Sequence, residues 1–185
     1  MYLDNKISQK QRYVAIKINQ EVHCVTSVFT VVPAVAFVLF AVVLGAIGLG
    51  GGFYETLLVD RVWPDHPMII QPSRGGLNRG LFWGPIHALY EVALLVSAWM
   101  VWSDSYARSW IIVALVVHFG TRAWSFAYFI PKALRFEKAG DLTEEQLHLA
   151  RRWIRVSRCR PVLEAISIMA QGAVILHFAA GVTPS

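Results

Sequence analysis

The chain has 185 residues, of which 56% are hydrophobic and only 16% charged, and its formal net charge is +5. This balance points to one domain in a membrane rather than a soluble globule. The Lys and Arg residues mostly flank apolar runs, as contact with lipid head groups requires, so the charge implies no nucleic-acid partner, and no glycine-rich phosphate loop or zinc-spaced Cys/His set is present.

Four apolar runs stand out, at about 25–52, 81–102, 110–131 and 162–182. Each is long enough as a helix to cross a hydrocarbon core ~30 Å thick. They predict an all-α, integral membrane four-helix bundle that forms a single domain over 1–185. A long first loop and an amphipathic helix before the fourth run complete it. The setting this implies is the cytoplasmic membrane of a bacterium, with the chain passing several times through the bilayer.

In chain order, residues 1–22 are largely polar and carry Lys6, Lys10, Arg12 and Lys17, which suits a short surface segment. The first run is too long for a signal-peptide core and reads as a retained helix. Near its end, Ala41 with Gly45, Ala46 with Gly50, and Gly48 with Gly52 have the small-xxx-small spacing that lets helices approach closely. That spacing suits packing within the bundle and also permits a homo-oligomer. Glu55 follows in GGFYE, where the first helix is expected to leave the membrane. The loop after it holds Trp63, Pro64, Pro67, Pro72 and Gly75-Gly76, and its prolines argue against a regular helix.

The second run begins GLFWGPIHALYE. His87 and Glu91 are four residues apart and share a helix face, with Trp83 a turn earlier. A carboxylate at the depth of Glu91 costs ~2.5 kcal/mol or more unless it is protonated or paired. A tight turn over 103–109 makes the second and third runs antiparallel neighbours. The third carries His118 and Arg122, again four apart, with Ser125 on the same stripe, and closes at Tyr128 and Pro131.

Residues 132–160 are the most charged segment. Thr143 and Gln146 have capping-box spacing, which starts a helix near Leu142. Leu147, Ala150, Trp153 and Ile154 give that helix an apolar face, and Arg151, Arg152 and Arg155 a basic one that would lie in the membrane interface. The fourth run carries Arg160, Glu164, Ser167 and Gln171 in one polar stripe, with Arg160 and Glu164 spaced as an ordinary i,i+4 pair. Five basic residues on one face against eleven on the other put both larger loops in the cytoplasm. Cys24 and Cys159 then fall on opposite faces, which excludes a disulfide between them.

Placed by depth, Glu55, Asn78, Arg79, His87, Tyr128, Arg160 and Glu164 lie in the membrane half nearest the larger loops, and Glu91, Arg122 and Gln171 near the midplane. Ionisable groups this deep face a bundle interior or a water-filled cavity. The expected picture is a polar pocket floored by Glu91 and Arg122. His87, Glu91, Glu55 and Arg122 are its candidate catalytic residues. His87 would transfer protons, the two glutamates act as acid/base partners, and Arg122 holds Glu91 ionised or stabilises an oxyanion. Trp83, Tyr128, Glu164 and Asn78 are the candidate substrate contacts. No metal ligand set is assigned. The pocket is expected to work without a cofactor, with haem or metal ligation by His87 as the alternative. The apolar runs hold no Glu-x-x-His motif of the di-iron bundles.

The chain resembles the small four-helix membrane family that includes fungal anthrone oxygenases. The matching residues are GGFYE at 51–55, the Trp-Pro loop with Asp65 to Pro67, and Phe82-Trp83. YFIP at 128–131, Arg152-Trp153 and Arg160 follow. The resemblance implies a four-helix bundle and, in the fungal branch, oxygenation of an aromatic polyketide without an obvious metal motif. A fainter likeness is to the membrane styrene oxide isomerases, which use haem. It rests on Trp83-Gly84-Pro85, the turn from Ser103 to Arg108, and Trp124-Ser125. Leu81-Phe82-Trp83 stands here where that family places a histidine. The expected function is a membrane-embedded enzyme that oxygenates or isomerises a small lipophilic, aromatic or polyketide-like molecule, with the lipid bilayer as its partner. The rival is a non-enzymatic membrane subunit or small transporter whose buried charges are structural or proton-conducting.

Overall fold

The structure, a computed structural model, describes Lys17 and residues 31–181. Cys24, the surface segment expected over 1–22 apart from Lys17, the start of the first run at 25–30 and the end of the fourth at Val182 lie outside the described residues. The chain divides into two compact units, Met1–Ala36 and Phe37–Ser185. Of the first, Lys17 and the opening turn of the first helix are described; the second holds the remaining elements.

Helices are the only regular secondary structure among the described residues, and four stretches are long and apolar enough to cross a membrane. Helix α1 is Val31–Val62, α2 is Gly80–Met100 and α3 is Ser105–Lys138. Helix α4, Glu144–Ser157, is followed almost at once by α5, Cys159–Gly181.

Two of these helices run past the ends that the sequence predicts. The first does not stop at Gly52. It continues to Val62 through a π-helical turn, Glu55–Val59, closed by the Asp60 N–H on the Glu55 carbonyl. The third does not stop at Pro131. A second π turn, Ser125–Phe129, precedes that proline, and the helix goes on to Lys138. Proline has no N–H to give the preceding turn, and a π turn is a place where the hydrogen-bond register can shift without ending the helix. The glycines at the end of the first run likewise lie inside α1, and two of them leave room for neighbouring side chains. A Cβ on Gly45 would lie 3.0 Å from Ile168 and 3.2 Å from Tyr90, and one on Gly51 only 2.5 Å from Phe82. The first loop is correspondingly shorter, spanning 63–79, and contains two short 3-10 turns, Pro67–Ile70 and Pro72–Arg74.

Helix α3 packs most extensively on α5 and also against α2. The outer faces are strongly apolar: Trp99 is 78% exposed, Leu81 75% and Leu176 71%. A surface of this kind needs an apolar surrounding. A separate aromatic core lies beneath the first loop, where Trp63 and Ile70 meet Phe129, Phe136, Trp153 and Ile154. Buried Gln71 ties the loop to the end of α3, donating to the Phe136 carbonyl at 3.1 Å and the Gly140 carbonyl at 2.6 Å. Gly76 makes the loop's tightest approach, since a Cβ there would overlap the Met68 carbonyl oxygen.

The predicted capping box is present, with Thr143 and Gln146 bonded reciprocally, and starts α4 at Glu144 rather than at Leu142. Ala150, Trp153 and Ile154 are buried as the apolar face requires, and Arg151, Arg152 and Arg155 are exposed. At the opposite end, Asp104 caps α3 by accepting from the Ala107 N–H at 2.8 Å.

Candidate functional site

The two π turns and the starts of α2 and α5 enclose a cavity of about 480 Å3 within the second unit. A π turn widens the helix by one residue and turns side chains that a regular helix would aim elsewhere. Glu55 in the first π turn, and Ser125, Phe126 and Phe129 in the second, all line the space.

Of the predicted residues, His87, Glu55, Trp83, Arg122, Glu164 and Asn78 line the cavity. His87 is the only imidazole among them and makes no hydrogen bond to the described residues. Its ring stacks on Trp83 at 5.3 Å between centroids, with 21° between the planes. The Trp83 indole N–H is spent on Glu55 Oε1, 2.9 Å away. Glu91 is not among the lining residues. It meets the cavity through Arg122, whose Nε donates to Glu91 Oε1 at 2.7 Å. The Arg122 guanidinium also lies 4.7 Å over the Phe126 ring. Tyr128 is not brought to the cavity either: its ring packs edge-on against Phe129 and carries the Lys132 ammonium 3.7 Å above it.

The pairing of Arg160 with Glu164 expected from their spacing is absent. Glu164 instead faces His118, with Nδ1 of the imidazole 3.3 Å from Glu164 Oε2. His118 is fully buried, its Nε2 has no hydrogen bond, and Glu91 Oε1 stands 3.8 Å from that atom. The imidazole therefore sits between two carboxylates from different helices. An i,i+4 spacing permits an ion pair on one helix, but a buried histidine on the neighbouring helix offers the glutamate a partner away from solvent.

Several residues of the site were missed in the sequence. Asp60 is buried inside the apolar stretch TLLVDRV and accepts from the Trp63 indole at 3.0 Å; the Asp-x-x-Trp spacing on one helix face was the available signal. Glu137 lines the cavity from the part of α3 beyond Pro131 and binds Arg79 at 2.8 Å, so it came into view only with the longer helix. Arg79 also lies 4.0 Å from Glu55. Among the described residues no group of three or more His, Cys, Asp or Glu side chains is placed to hold a metal ion.

The arrangement offers an apolar, aromatic-walled space into which project one imidazole with no hydrogen bond to the described residues and several partnered charges. No protein-family model, curated protein or solved structure matches the chain.

Proposed function

We propose that the chain is a multi-pass integral membrane enzyme of the bacterial cytoplasmic membrane. Its four-helix bundle would hold a small lipophilic, aromatic or polyketide-like molecule and begin its oxygenation or isomerisation by removing a proton. The observation that carries this is the unbonded His87 imidazole facing a cavity of about 480 Å3, a volume that suits a small-molecule site. His87 takes a proton from a carbon made acidic by a neighbouring carbonyl or ring. Trp83, held by Glu55, fixes the plane of the imidazole, and Glu55, which lines the same cavity, serves as the proton partner. Arg122 holds Glu91 in an ion pair at 2.7 Å below the cavity. Reprotonation of the carbanion at a second carbon completes an isomerisation. Addition of dioxygen from solution, followed by a proton, gives a hydroperoxide and so an oxygenation.

The test is proton exchange itself. Anthrone, a simple aromatic carbon acid, is incubated in deuterated buffer with the detergent-purified full chain. Deuterium should enter at its methylene carbon faster than in buffer alone. His87→Ala should lower that rate by ~10²–10⁴-fold, the usual range for a general base, while the helical circular dichroism is retained. A folded His87→Ala protein that exchanges as fast as wild type overturns the assignment.

One observation favours the rival of a proton-conducting or purely structural membrane protein. The run Glu91, His118, Glu164 links two carboxylates through a buried imidazole. On that reading, proteoliposomes would pass protons in a way that depends on His118 and not on His87.

A further inference from the structure

Three guanidinium groups line the cavity, and they are not equivalent. Arg79 is bonded to Glu137 at 2.8 Å and Arg122 to Glu91 at 2.7 Å. Arg160, in the first turn of α5, has no carboxylate within ion-pair distance and no hydrogen bond to the described residues, and its Nε is buried and unbonded. The cavity's other carboxylates are already engaged. Glu55 accepts from Trp83, Asp60 from Trp63, and Glu164 faces His118. Glu55 and Asp60 act on Arg160 only from beyond ion-pair distance.

The guanidinium is nonetheless held in place. It lies 4.4 Å over the Phe129 ring and 5.7 Å from the Trp153 ring. Stacking on aromatic faces orients the plane of an arginine and leaves its in-plane N–H fork free for an oxyanion. Burying a cation without a hydrogen-bonded partner is costly, so a fixed, unpaired guanidinium beside an apolar cavity implies a partner that arrives with the ligand.

We propose that Arg160 is the seat for an anionic oxygen group, so that the cavity selects an aromatic molecule bearing one carboxylate or phenolate. The apolar body lies along Phe126, Phe129 and Trp83, and the oxyanion accepts from the Arg160 fork at the α5 end. This rests on the proposed small-molecule role of the cavity and names the ligand class within it. It also gives the site a polarity: the anion is anchored by α5, and the ring system extends towards His87 on α2.

The test compares two fluorescent probes of nearly equal shape, 9-anthracenecarboxylate and neutral 9-anthracenemethanol. Each is titrated into the full chain in neutral detergent, with energy transfer from tryptophan as the readout. The carboxylate should bind wild type at least about 30-fold more tightly than the alcohol, as a charge-assisted bond to a desolvated arginine allows. Arg160→Gln should remove most of that preference and change alcohol binding less than about 3-fold. Arg160→Lys, which keeps the charge and guards against loss of fold, should lose about 10-fold for the carboxylate. Arg151→Gln, at an exposed arginine paired with Asp65 on the surface, should leave both affinities unchanged and so excludes a general charge effect. Equal binding of the two probes to wild type, with no effect of Arg160→Gln, overturns the anion seat and leaves the small-molecule cavity standing. Failure of both probes to bind overturns the cavity's proposed role as well. Dimyristoyl phosphatidate added to the micelles should leave the probe bound. Its stoichiometric displacement of the probe would identify a lipid phosphate as the occupant and overturn the small-ligand assignment.

Discussion

The Glu91–Arg122 pair shows how one contact can support both fold and site. The carboxylate and guanidinium come from α2 and α3, meet at 2.7 Å, and are 28% and 17% exposed. Removing one partner leaves the other desolvated and alone, whereas removing both leaves only an apolar contact. Arg122→Ala is therefore expected to destabilise the bundle by about 3 kcal/mol, and the double replacement Glu91→Leu with Arg122→Leu by clearly less. Equilibrium unfolding of wild type, Arg122→Ala and the double variant in mixed micelles measures the difference. A double variant as unstable as Arg122→Ala would show that the pair does not account for the loss.

At the scale of elements, the join between α3 and α5 at the end away from the cavity depends on a single carboxylate. Asp104 accepts from the Ala107 N–H at 2.8 Å and lies 3.1 Å from His177 Nε2, whose ring stacks on Tyr106. The backbone hydrogen bond from Ala107, and then the bond to His177, hold the Asp104 carboxyl below the usual carboxylate range. A carboxyl more acidic in the folded state than in the unfolded chain stabilises the fold above the unfolded value of ~3.9, and that contribution fades as pH falls through the lower folded value. Loss of the cap in Asp104→Ala is expected to cost ~1 kcal/mol at neutral pH. Thermal unfolding across pH should show the gap to wild type closing below about pH 4. A gap that stays constant down to pH 2 would contradict this account.

For the whole molecule, the apolar outer face and the distribution of basic residues decide how the chain sits. The side that holds the end of α1, the first loop, the end of α3 and α4 carries eleven basic residues against five on the other, and this bias predicts that it faces the cytoplasm. In a chain with Cys24 and Cys159 changed to Ser, a Ser73→Cys label in the exposed first loop should react with a membrane-impermeant maleimide only after the cells are opened. Labelling of intact cells would invert the topology.

Much of the architecture could be read without coordinates, because it depends on composition and periodicity. Four runs of apolar residues make four long helices. Thr143 and Gln146 cap α4 through local bonds alone, and the basic face of that helix is exposed as its spacing requires. His87 and Trp83 share a face because a helix has a fixed pitch. Tertiary packing decided the rest. Glycine and proline mark helix ends in isolation, yet here both helices run on, the first through the π turn at Glu55–Val59 and the third through one ahead of Pro131. Those extra turns bring Asp60 and Glu137 to the cavity. Charge pairing followed the same rule. Glu164 faces His118 across the helices rather than Arg160 along its own, since a buried partner on a packed neighbour is available to it. Local spacing shows which charges are able to meet, and only the packed fold decides that Arg160 is left facing the cavity.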